Sequence, residues 1–119
     1  MRRDQLFLAE MIDAAEQAHR LAGESSVEDL SQDRQRRDAL LWNFTVLGEA
    51  STQVSDELKS RFSDVGWQQP ARLRNLVVHG YWTIDLEILH VTAIDFLPGF
   101  IASLRTVLLA IETDDVSDA

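Results

Sequence analysis

From Ile84 to Ile111 the chain is apolar on more than one helical face, with Pro98 as its main interruption. Ile84, Leu86, Ile88, Leu89, Val91, Ala93 and Ile94 open the run. Phe96, Leu97, Phe100, Ile101, Leu104, Val107, Leu108 and Ile111 complete it. A helix in a small bundle usually needs only one apolar stripe. The surplus implies that a second copy of the chain covers the other side, because two-fold pairs are the commonest closed assemblies. Pro98 removes a backbone donor and crowds the preceding turn, so it should bend or break this last helix, which is expected to end near Glu112.

The remainder also reads as helix. Phe7, Met11, Ala14, Ala18 and Leu21 recur at three- and four-residue steps and predict a first helix from about Arg3 to Ala22. Ser26 can cap a short turn and Ser31 the next long helix. In that helix Leu40, Phe44, Leu47, Val54 and Leu58 form a stripe with a gap at Ser51, while Trp42 and Val46 lie on another side. Gly48 costs about 1 kcal/mol relative to alanine in a helix interior, which points to close helix packing at that position. Residues 60–69 form a connection, Trp67 is expected to be a core anchor, and Pro70 suits the first turn of a helix from about Gln68 to Val78. Thr83 or Asp85 can cap the last helix. With no strand pattern and no repeat, the expectation is an all-α, antiparallel bundle of four to five helices that dimerises.

At 119 residues the chain is long enough for one domain, here residues 1–112, followed by an acidic tail at 113–119. It has no cysteine, which excludes disulfides and thiolate metal sites. The net charge of −9 argues against a generic nucleic-acid binder, although arginines gather at Arg34, Arg36 and Arg37 and again at Arg72 and Arg74. The first cluster is read as ordinary surface charge. The start has no apolar signal-peptide core, and no segment is read as a membrane span, so a cytoplasmic protein is expected.

The segment Arg72-Leu73-Arg74-Asn75-Leu76-Val77-Val78-His79-Gly80-Tyr81 holds the chemistry. Arginine offers a permanent cation with a planar fork of donors that fits phosphate. Histidine moves protons near neutral pH. Arg74 and His79 are five residues apart, however, and so about 140° out of phase on a helix. They converge if the helix ends at His79 with Gly80 as a left-handed cap, or if two copies of the chain face one another. Spacing alone favours a structural arrangement, with Arg74 paired to a carboxylate such as Glu49 and Tyr81 packed with its hydroxyl bonded. His19 and His90 read as boundary residues. No spacing of histidines and carboxylates suggests a metal, and no glycine-rich phosphate loop is present.

Taken in order, Gly48-Glu49-Ala50, Trp67, Arg74-Asn75-x-x-x-His79-x-Tyr81, Ile84-Asp85 and Leu97-Pro98 resemble the HepT-like branch of the HEPN superfamily over nearly the whole chain. The resemblance implies a dimeric helical bundle that is the toxin of a type VII-like toxin–antitoxin system. It implies metal-independent RNA cleavage where two Arg…His motifs meet, with Arg74 and His79 catalytic and Asn75 matching the family pattern. Arg72 and Asn75 are the candidate substrate-binding residues. The implied partner is an MntA-like nucleotidyltransferase antitoxin that transfers AMP to Tyr81, where the added group would draw Arg74 into an ion pair. No cofactor is expected. The alternative is a non-catalytic helical module that binds a nucleotidyltransferase or a nucleotide through the same basic cleft.

Overall fold

A computed structural model describes the backbone of residues 2–118 and the side chains of residues 2–114. Most of the expected acidic tail therefore lies outside the described side chains. The elements are α1 (Arg2–Gly23), α2 (Val27–Gln32), α3 (Arg34–Gln53), α4 (Asp56–Arg61), α5 (Gln68–His79), a 3₁₀ turn (Tyr81–Thr83), α6 (Leu86–Val91), a π-helical segment (Thr92–Phe96) and α7 (Leu97–Asp118). α7 thus continues past Glu112.

Local chemistry sets the boundaries. Ser26 and Asp29 form a reciprocal capping box on α2, each side chain accepting from the other's backbone N–H at 3.0 Å. Asp33, not Ser31, caps α3, accepting from the Arg36 N–H at 3.2 Å. Ser31 instead donates to the Glu28 carbonyl at 2.8 Å within α2. The helix expected to run on through Leu58 stops at Gln53, and Ser55 caps a separate α4. Asp4 of α1 fixes that corner. Its carboxylate accepts from the Ser55 N–H at 2.8 Å and the Ser55 hydroxyl at 2.6 Å, so the chain cannot continue as one helix there. Ser51 leaves a gap in the apolar stripe because its hydroxyl donates to the Trp67 carbonyl at 2.9 Å, while the Trp67 indole N–H donates to the Phe62 carbonyl at 2.9 Å.

Pro98 neither breaks nor ends the last helix. The turn before it widens into the π segment, where the Leu97 N–H bonds to the Thr92 carbonyl. Such a widening is a recognised way to absorb a ring that would clash with the carbonyl four residues back. Asp85 caps α6, accepting from the N–H groups of Glu87 and Ile88 at 3.0 and 3.4 Å.

The long helices run antiparallel, as side-chain pairs near their ends show. Arg3 at the start of α1 donates to Gln53 at the end of α3. Glu16 of α1 pairs with Arg105 of α7, while His19 lies 3.0 Å from the carbonyl of Ala93, earlier in the same rod. α1 therefore lies between α3 and α7, and α5 packs on α3. Leu8, Met11, Phe44, Leu47, Leu104 and Ile111 are completely buried in the shared core. His90 reaches the Ala22 and Ser25 carbonyls at 2.9 and 2.8 Å, a boundary role like that of His19.

The rod from Leu86 to Asp114 is long and apolar enough to cross a membrane, contrary to the sequence reading. Its charged residues are sparse enough to leave such a window. Within the fold it packs as a core helix, with Leu89, Ala93, Leu97 and Leu104 buried. Its apolar surplus is mostly covered within its own chain, leaving Ile88, Val91 and Leu109 exposed. Other exposed apolar side chains are Trp42 on α3, Leu76 and Val78 on α5 and Trp82 in the turn that follows, of which Trp42 and Val78 line one groove.

Candidate functional site

α5 owes its place to Gly48. A Cβ at that position would lie 2.2 Å from the Arg74 Cβ and 2.6 Å from the Pro70 carbonyl oxygen. The bare glycine lets the two backbones approach, as the sequence suggested. Pro70 and Val77 face inward and are buried, while Arg74 stands at the edge of this contact. Its Nε lies 2.7 Å from Glu49 Oε1 on α3, an ion pair without hydrogen-bond alignment. One Nη donates to the Asn75 side-chain oxygen at 3.0 Å. The Glu49 pairing is therefore realised.

His79 is the last residue of α5 and is exposed. Gly80 follows, but its backbone is right-handed in φ (−117°), not the left-handed cap expected. The chain runs straight into the 3₁₀ turn instead of reversing, so positive φ is not required. Glycine is still needed, since a Cβ there would meet the Leu76 carbonyl oxygen at 2.8 Å. The cap therefore does not swing His79 back towards Arg74. His79 shares a solvent-facing stripe with Arg72 and Asn75, spaced at i, i+3 and i+7, and all three are exposed. Arg72 and Asn75 also line a cleft of about 580 Å³ with Lys59, Gln68 and Ser63. Asn75 links the two halves of the motif: it belongs to the His79 stripe and accepts the hydrogen bond from Arg74.

Tyr81 turns away from this stripe. Its hydroxyl donates to Asp38 Oδ1 at 2.8 Å, and Arg34 donates from Nε to Asp38 Oδ2 at 3.3 Å. The hydrogen bond from Tyr81, aided by Arg34, holds Asp38 below the usual carboxylate range, against a smaller opposing effect of desolvation. The same hydrogen bond, with desolvation and the Asp38 charge, pushes the Tyr81 phenol above its ordinary value. Arg34 and Arg37, rather than Arg74, line the cleft beside Tyr81. Asp38 was not anticipated. Its i,i+4 relation to Arg34 is legible in the sequence, but its contact with Tyr81 spans 43 positions. Among the described residues no group of three or more histidines, aspartates or glutamates is placed to hold a metal.

Residues 11–107 match the family described as Ribonuclease HepT-like. The chain is 25% identical over 93 residues to "Probable ribonuclease HepT" of Thermococcus cleftensis, covering 78% of this chain and 84% of that protein. It is 23% identical over 109 residues to "Putative RNase MJ0127" of Methanocaldococcus jannaschii, covering 92% and 90%. No solved structure matches the chain significantly. An all-helical antiparallel fold, the ordered motif on α5 and a match over most of its length agree: the chain belongs to the HepT-like ribonuclease family.

Proposed function

We propose that this protein is a metal-independent endoribonuclease, the cytoplasmic toxin of a toxin–antitoxin pair, which works as a homodimer. In this reading the 2′-hydroxyl of RNA attacks the adjacent phosphate. His79 moves the protons, a role usually worth about 10²–10⁴-fold. Arg74 offsets the charge that develops on phosphorus. Arg72 and Asn75 position the backbone. An MntA-like nucleotidyltransferase antitoxin silences the enzyme by transferring AMP to Tyr81.

The observation that carries this reading is the division of the motif around α5. Arg74 sits beside α3, whereas His79 lies on the outward stripe. Two chains that apply their α3–α5 edges to one another can supply both groups to a single phosphate. The exposed Trp42 of α3 and Val78 of α5, which line one groove on this edge, give such an interface an apolar centre.

Purified protein incubated with RNA in the presence of a chelator tests the nuclease. Wild type should cut, and His79→Ala should not. Equal behaviour of the two would leave the non-catalytic binding module, which the engagement of Arg74 by Glu49 favours. Peptide mass spectrometry after co-expression with a nucleotidyltransferase tests the silencing. AMP should appear on Tyr81, and Tyr81→Phe should remain folded, keep cutting RNA and escape neutralisation. AMP on another residue would remove Tyr81 from the control step.

A further inference from the structure

Tyr81 faces a cleft of about 360 Å³ lined by Arg34, Arg37, Leu41, Trp82 and Ile84, a volume in the range that holds small ligands. One wall is cationic. Arg37 is braced by the Ser31 carbonyl, to which one Nη donates at 2.8 Å. A guanidinium has five N–H donors, so others remain for an anion. Arg34 is the less enclosed of the two: its side chain is 81% exposed and pairs with Asp38. The lining is also aromatic. Trp82 meets the Tyr81 ring edge-on at 5.3 Å and is 93% exposed. An indole left in water beside two guanidiniums and a hydroxyl offers a stacking surface for a base next to a phosphate site.

We propose that this cleft is the seat of an adenylyl group carried by Tyr81, in which Asp38 takes the phenol proton during transfer and Arg34 and Arg37 hold the phosphate afterwards. This rests on the reading that Tyr81 is adenylylated. In the step, the Tyr81 oxygen attacks the α-phosphorus of a nucleoside triphosphate held by the nucleotidyltransferase. The new O–P bond forms while the bond from that phosphorus to its bridging oxygen breaks, and diphosphate leaves with the electron pair. The phenol proton passes to Asp38 Oδ1, to which it is already hydrogen-bonded. Asp38 is then neutral and attracts Arg34 less, so the Arg34 guanidinium can turn to the phosphodiester formed beside it. A carboxylate held ionised and a phenol held protonated at neutral pH are the starting states this transfer needs. The proton moves only as the oxygen commits to phosphorus, which raises its acidity.

The test follows AMP incorporation from labelled ATP with the nucleotidyltransferase, in wild type, Asp38→Asn and the double variant Arg34→Ala/Arg37→Ala. Asparagine can still accept the phenol hydrogen bond but cannot take the proton. Asp38→Asn should slow incorporation at least about tenfold at pH 7. Its rate should then climb with hydroxide, about tenfold per pH unit, where wild type is nearly flat. A purely structural role for Asp38 would lower the rate without changing the pH profile. The double variant, once labelled, should lose AMP to a phosphodiesterase several-fold faster than labelled wild type. Circular dichroism checks the fold. The chain has a single tyrosine, so its ultraviolet titration reports directly whether residue 38 still bonds the phenol. An unchanged pH profile in Asp38→Asn, whatever its rate, or equal AMP retention in the double variant, would overturn the cleft assignment while adenylylation stood. Absence of AMP from wild-type Tyr81 would remove both.

Discussion

Gly48 and Arg74 touch so closely that a methyl group on the glycine would overlap the arginine's Cβ, at 2.2 Å. The glycine in the middle of α3 therefore fixes where the proposed catalytic cation emerges. Gly48→Ala should destabilise the fold by about 1–3 kcal/mol from overpacking, less the roughly 1 kcal/mol that alanine returns in helix propensity. The Pro70 carbonyl is backbone and cannot yield as a side chain could. Urea unfolding measures the change. RNA cleavage should fall further than stability, since α5 must move. A variant as stable as wild type would contradict the close packing of α3 on α5.

Arg74→Ala and His79→Ala should each reduce RNA cleavage by about two orders of magnitude or more. Both should keep the helical signal in circular dichroism. Arg74 is partly exposed and its partner Glu49 is half-exposed, so loss of the pair costs the fold little, about 0–1 kcal/mol. Arg74→Lys should not restore the rate, because an ammonium lacks the planar fork that grips two phosphate oxygens. Wild-type cleavage by any of the three would refute the assignment it tests.

Trp42 stands 66% exposed beside the groove that also holds Val78 and Tyr81. Trp42→Arg should shift the protein from a dimer to a species near the 13.5 kDa chain mass in multi-angle light scattering. RNA cleavage should fall with it, because the composite site is lost. A substitution at Leu109, far along α7, should leave the dimer intact. The opposite pattern would move the interface to the apolar rod, where the sequence alone places it.

The Tyr81–Asp38 hydrogen bond sets a pH window. Asp38 is depressed, so its contribution is present above the unfolded carboxylate value of about 4 and is lost as pH falls through the lower folded value. Tyr81 is raised, so its contribution is complete below the unfolded phenol value of about 10 and is lost as pH rises through the higher folded value. Absorbance of the lone tyrosine should titrate above the value of a free tyrosine side chain. In Asp38→Ala the midpoint should move down towards that value. An unmoved midpoint would mean that the hydrogen bond is not made in solution.

Periodicity and capping residues by themselves determined much of this protein. The three- and four-residue steps from Phe7 to Leu21, the Ser26 cap and the first-turn Pro70 are local signals, and each acts through neighbours within one or two turns. The motif was equally legible, since Arg74, Asn75, His79 and Tyr81 lie within one short segment. Tertiary structure decided what depends on distant partners. Asp4 stops α3 by claiming Ser55, fifty-one positions away. The apolar surplus of the last helix is divided by packing, since the face on α1 buries Leu89, Ala93, Leu97 and Leu104 while Ile88, Val91 and Leu109 stay exposed. Above all, the antiparallel pairing of α3 with α5 carries Asp38 to the Tyr81 hydroxyl and Glu49 to Arg74. A sequence pattern records which faces are apolar. It does not record which polar groups meet when those faces close, because that follows from the register in which two helices pack, and here Gly48 sets it.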